Sequence, residues 1–143
     1  MGFNIVESCG ALIHCKSTKR YLFLLRNGYG KYAGTWGLVG GKIESGETVL
    51  EALNREMREE LGGFIDDLKL WPVEKFVSKN GKFVYHTFLT EVDEEFVPAL
   101  NREHRGYCWV PLDDYPKPLH PGVWRTFKFS SVVDKIRTLE KLS

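Results

Sequence analysis

Residues 41–63 read GKIESGETVLEALNREMREELGG, and the central helix and its acidic face follow from that run. Thr48 and Glu51 have the spacing of a capping box, in which side chain and backbone at a helix start satisfy each other's free groups. A helix is therefore expected from about Thr48 to Leu61. Leu50, Leu53, Met57 and Leu61 give it one apolar stripe, and Gly62-Gly63 supplies its stop. Such a stripe must pack on a sheet. Glu56, Glu59 and Glu60 stand at i, i+3 and i+4, so they share a face. At roughly 100° per residue this acidic face lies beside the stripe, at the rim of a core where a cleft can form. Like charges at this spacing cost about 0.2–0.5 kcal/mol per pair, and more when partly buried. A divalent cation removes that repulsion, and clustered carboxylates are the ligands that hard ions such as Mg²⁺ prefer. A solvated acidic face offset by Arg55 and Arg58 is the competing reading of the three glutamates taken alone.

Upstream of the helix, Val6 to Cys15 and Tyr21 to Arg26 are β-prone runs separated by the polar stretch Lys16 to Arg20, which suggests two strands and a turn. A glycine-rich loop, Asn27 to Thr35, leads into Trp36-Gly37-Leu38-Val39-Gly40-Gly41. Downstream, Lys69 to Ser78, Phe83 to Val92 and Tyr107 to Leu112 read as strands, with Asn80-Gly81 as a hairpin turn between the first two. Pro111 to Pro121 reads as a loop. The spacing of Phe127, Val132, Ile136 and Leu139 suggests one closing helix from about Trp124 to Leu142. Strands interrupted by one helix and finished by another argue for a mixed sheet covered by helices on both faces.

The 143 residues fit a single domain, with 43% hydrophobic and 27% charged residues, a globular mixture. Twenty basic against nineteen acidic residues create no general field for nucleic acid or an anionic membrane, so an anionic substrate must be held locally. Cys9, Cys15 and Cys108 lack zinc-site spacing and read as reduced thiols of a cytoplasmic protein. The first residues lack a basic start followed by an apolar run, and no stretch of about 18 apolar residues occurs, so neither secretion nor a membrane span is expected.

The complete segment resembles the Nudix box, G-x5-E-x7-R-E-U-x-E-E-x-G-U with U a bulky apolar residue. Gly41, Glu47, Arg55, Glu56, Met57, Glu59, Glu60 and Gly62 fall in register. Seven fixed residue types at fixed spacing recur by chance about once in a million chains of this size. Gly63 stands where the last apolar residue is expected, and Val39 where many members have proline. An arginine-ended strand and the approach Gly34, Trp36, Gly40, Gly41 extend the likeness over about residues 5–64.

The resemblance implies an α/β/α sandwich with a mixed sheet between helices, and a hydrolase of phosphoric anhydride bonds. It implies that Glu56, Glu59 and Glu60 bind Mg²⁺, with Mn²⁺ as a substitute, and activate water, Glu56 being the usual base. The Gly40 carbonyl would add a ligand, and Glu47 would pair with Arg55 to fix the helix. Glu103 stands where the family's extra carboxylate often precedes a late strand, a surface loop acid being the alternative. A homodimer is compatible with the family. The leading substrate is a nucleoside diphosphate linked to another group, such as a sugar. The alternatives are triphosphate pyrophosphohydrolysis, including oxidised-nucleotide clearance, attack at sugar carbon as in GDP-mannose mannosyl hydrolases, and nucleotide binding without cleavage.

Arg26 and Lys31 flank the glycine-rich loop and are candidates for phosphate contacts, while Tyr29, Tyr32 and Tyr85 could stack on a base and Trp36 suits the core better. Gly28 to Ala33 has dinucleotide-fingerprint spacing but opens no helix, and Gly41-Lys42 continues into Ile43 without the upstream glycine of a P-loop. His14, His86, His104 and His120 lack metal-ligand spacing, and His14 reads as structural. The stretch Glu103-His104, Tyr107, Trp109 and Leu119-His120-Pro121 faintly resembles the mannosyl hydrolase branch, whose box is altered where this one is complete.

Overall fold

A computed structural model describes residues 4–62 and 68–142. Along the chain run β1 (Val6–Cys15), β2 (Tyr21–Arg26), β3 (Trp36–Gly37), β4 (Val39–Lys42), α1 (Val49–Leu61), β5 (Trp71–Val77), β6 (Phe83–Val92), β7 (His104–Val110), α2 (Pro121–Lys128) and α3 (Ser130–Leu142). β1 lies at the centre, parallel to β6 and antiparallel to β2 and β4, with β5 beyond β6 and β3 and β7 on β2. From Cys9 onward β1 is buried without a break, as expected of a strand covered on both faces.

Side chains alternate across the sheet. Cys9, Ala11, Ile13, Leu22, Leu24 and Val39 pack against Ala52, Leu53, Met57 and Leu61 of α1. Leu12, Tyr21, Phe23, Val73 and Leu89 pack against Val123 of α2 and Val132 and Ile136 of α3. The result is a sheet between helices, the expected sandwich. The strands over Val6–Cys15, Tyr21–Arg26 and Phe83–Val92 keep their expected bounds.

Four expectations need correction. Leu50 is 48% exposed and lies outside the stripe, where Ala52 takes its place. β7 begins at His104, three residues before Tyr107, because pairing with β2 continues through a register shift to Arg26. α2 begins at Pro121, inside the expected loop, with Pro121 in the first turn and the His120 side chain accepting from the Gly122 amide at 3.0 Å. The closing helix is two helices, broken at an extended Phe129. The five-residue step from Phe127 to Val132 already departs from one helical stripe by about 140°. Gly63, expected to help stop α1, lies outside the described residues, and Gly62 caps the helix in the left-handed conformation.

Candidate metal and anhydride site

The capping box forms as expected. Thr48 Oγ1 accepts from the Glu51 amide at 3.1 Å, and Glu51 Oε1 accepts from the Thr48 amide at 2.8 Å. With its start fixed, α1 directs Glu56 and Glu60 toward the sheet, where both are buried, and leaves the Glu59 side chain 52% exposed. The paired glycines make that approach possible. A Cβ on Gly41 would sit 2.6 Å from the Glu56 carboxyl, and one on Gly40 (φ 156°) would collide with the Cys9 carbonyl of β1. In return, the Gly40 amide donates to Glu60 Oε1 at 3.1 Å.

Arg55 ties the box together as expected. Its Nε and Nη2 donate to the two Glu47 oxygens at 2.7 and 2.9 Å, Nη2 also donates to the Lys42 carbonyl at 3.0 Å, and Nη1 donates to Glu56 Oε1 at 2.9 Å. The guanidinium, followed by the Glu44 amide, holds the Glu47 carboxyl down at about 2. Burial acts in the opposite sense on the other two acids. It raises Glu56 against the pull of Arg55, and raises Glu60 well above the ordinary carboxylate range, with the charges of Glu56 and Glu103 adding to the effect.

The second half of the cluster comes from the loop before β7. Asn101 Nδ2 donates to the Glu59 carbonyl at 3.2 Å, Asn101 Oδ1 accepts from the Glu103 amide at 2.9 Å, and the Asn27 amide donates to the Glu103 carbonyl at 2.9 Å. These bonds set Glu103 and His104 against the end of α1. The ligand atoms of Glu60, Glu103 and His104 all lie within 4.8 Å of one another. Glu60 Oε2 and His104 Nδ1 are 3.3 Å apart, both buried, and neither has a hydrogen-bond partner. Each such group costs about 1–3 kcal/mol when left unsatisfied. A divalent cation satisfies both, so the residues present fit one.

Arg26 stands on the flank of this cluster. Burial first, and then the Arg26 charge, lower His104 to about 4. The same charge acts on Tyr85, whose phenol is raised by burial, and on His120, which burial lowers. Tyr85 lies so close to β1 that a side chain on Gly10 would strike its hydroxyl. Glu56 and Glu103 thus act electrostatically on Glu60, and Arg26 acts on His104 and Tyr85. Lys31 stands over the Tyr32 ring, and Tyr32 packs edge-on against His120 at 4.5 Å. Tyr29 is 71% exposed, and its hydroxyl accepts from Asn27 Nδ2 at 3.4 Å. Trp36 is partly buried against the α2–α3 side of the sheet.

His104 and Asn101 were not singled out as site residues by sequence reasoning. Their signal was adjacency, a histidine directly after a candidate acid and an asparagine two residues before it. Metal-ligand spacing could not reveal them, since their partners lie on α1.

Buried Glu56 and Glu60, with Arg55 bonded to Glu56 and with Glu103 and His104 beside Glu60, form a candidate cation site. The NUDIX domain model matches residues 7–130. The nucleoside triphosphatase NudI of Escherichia coli is 29% identical over 123 residues, covering 77% of this chain and 79% of that protein. The crystal structure of a MutT NUDIX hydrolase from Burkholderia pseudomallei superimposes with a TM-score of 0.66 at 32% identity, covering 84% of this chain and 93% of the other. The dihydroneopterin triphosphate pyrophosphohydrolase of E. coli has a TM-score of 0.59 at 25% identity, covering 73% and 79%. The chain belongs to the NUDIX family and is a hydrolase of phosphoric anhydride bonds. Divalent metal is general to that family. Among the described residues no helix is long and apolar enough to cross a membrane.

Proposed function

We propose that the enzyme hydrolyses a nucleoside triphosphate with Mg²⁺, releasing a nucleoside monophosphate and pyrophosphate. The observation that carries the metal-dependent chemistry is the unpartnered, buried face of Glu60 turned toward Glu103 and His104. The names of the similar E. coli enzymes support a triphosphate over the sugar-linked diphosphate that the sequence favours. When bound, the cation neutralises phosphate oxygens and polarises the attacking water. Glu60 and Glu103 would hold it, with Glu59 on the exposed side. Glu56, poised by Arg55 and kept basic by burial, takes a proton from water as the anhydride oxygen leaves. Arg26 and Lys31 receive the phosphates, and Tyr85 lines the floor of the cleft.

A second reading, hydrolysis of a nucleoside diphosphate sugar, has His120 in its favour, since this half-buried imidazole shares the Arg26 flank. One product analysis separates the two. Purified enzyme with Mg²⁺ is given triphosphates and nucleotide sugars, and products are resolved by chromatography. Monophosphate and pyrophosphate from triphosphates are expected. Monophosphate with sugar phosphate, or intact diphosphate with free sugar, would replace the proposal with the second reading.

A further inference from the structure

We propose that His104 supplies a nitrogen ligand to the catalytic cation, so that the site prefers a first-row transition ion, with Mn²⁺ as the probe, over Mg²⁺. This rests on the metal-dependent reading above and refines which metal that reading uses.

Three observations converge on His104. Its Nδ1 is buried and lacks a hydrogen-bond partner, a condition rare in folded proteins. It faces Glu60 Oε2, itself buried and unpartnered, at 3.3 Å. Neighbouring ligands of an octahedral ion, each about 2.1 Å from the metal, stand about 3 Å apart, so the separation is that of two donors to one cation. Glu103 adds a carboxylate within 4.8 Å of both, from the solvent-facing side. The backbone leaves His104 little freedom to turn away, because its amide bonds to the Asn101 carbonyl at 3.3 Å and β7 pairs it with Arg26.

The ligand set then has two consequences. Magnesium is held by oxygen and binds imidazole poorly, whereas first-row transition ions accept imidazole, Mn²⁺ the least strongly among them. Replacing one oxygen by nitrogen therefore shifts the preference toward the transition ions. The neighbouring acids keep enough oxygen in the set for Mg²⁺ still to bind, more weakly.

The test is pulsed electron paramagnetic resonance on the full chain loaded with Mn²⁺, read for nitrogen modulation from a coordinated imidazole. Wild-type protein is expected to show ¹⁴N modulation that changes to the ¹⁵N pattern when histidine is ¹⁵N-labelled. His104→Gln is expected to lose it, and the Mn²⁺ over Mg²⁺ preference, measured by competition for bound Mn²⁺, to fall about tenfold. The wild-type spectrum needs no variant to fold, and His104→Asn provides a second replacement. Bound Mn²⁺ without nitrogen modulation, in an enzyme that still cleaves its substrate, overturns this inference and leaves the proposed function standing. Modulation that persists in His104→Gln also overturns it. Failure to bind Mn²⁺ or Mg²⁺ at all removes both.

Discussion

Among the described residues two histidine–glutamate pairs are buried, and their geometry differs. On the α2–α3 side, His14 Nδ1 and Glu91 Oε2 are 2.8 Å apart, with side chains almost wholly enclosed. They sit on paired positions of parallel strands, and the His14 ring packs on Tyr21 at 4.8 Å. The facing atoms satisfy each other, and the unpartnered His14 Nε2 and Glu91 Oε1 belong to the far sides of the two groups. At the end of α1, His104 and Glu60 come no closer than 3.3 Å, and there the facing atoms are the unsatisfied ones. Glu56 and Glu103 add charge beside them. A closed pair stabilises the fold, whereas an open pair surrounded by further acids is arranged for a third party.

The largest expected effect comes from breaking the open pair. Glu60→Gln keeps the shape and the bond to Gly40, so the variant should fold while turnover falls by about two to three orders of magnitude. A normal rate in steady-state assay would place the chemistry elsewhere. Glu91→Ala should do the reverse. Leaving His14 without its partner should cost about 3 kcal/mol of stability by denaturant unfolding, with turnover per folded molecule unchanged. If activity vanished in a folded Glu91 variant, the division between the pairs would fail.

The open pair should also respond to pH. Burial raises Glu60 and Glu56, so the metal-free folded state keeps protons that the unfolded chain has already released. Metal-free stability should therefore fall as pH rises above the ordinary glutamate range. Cation binding expels those protons, so affinity should increase with pH, approaching about tenfold per unit while one proton is released. Calorimetric titration in buffers of different ionisation enthalpy measures that release, and a pH-independent affinity would contradict it. The smallest effect is expected at Asn101, which only positions the loop. Asn101→Ala should weaken cation binding by about 1 kcal/mol, and an unchanged dissociation constant would show that Glu103 and His104 need no such tether.

The contrast also explains how much was legible beforehand. Glu56 and Glu60, Arg55 with Glu47, and the capping box are local relations on one helix and its approach, and helical periodicity is enough to read them. The central strands were legible because they are continuous apolar runs bounded by polar turns. His104 was not, because its partner is on α1 and only the antiparallel return of β7 along β2 unites them. Leu50 was misplaced for a related reason, since its spacing suits the stripe but the helix rotates Ala52 inward instead. The break at Phe129, flanked by Lys128 and by Ser130-Ser131, was missed although the five-residue step from Phe127 to Val132 was visible. Sequence periodicity thus reports the surfaces of single elements well and the meeting of distant ones poorly.

The central claim is that one cation sits between α1 and the loop before β7. Anomalous scattering from a crystal soaked in Mn²⁺ tests it most directly. The expected result is a peak within about 2.5 Å of Glu60 Oε2, with Glu103 in its coordination sphere. Manganese bound at other sites while Glu60 remains without a peak would contradict the account.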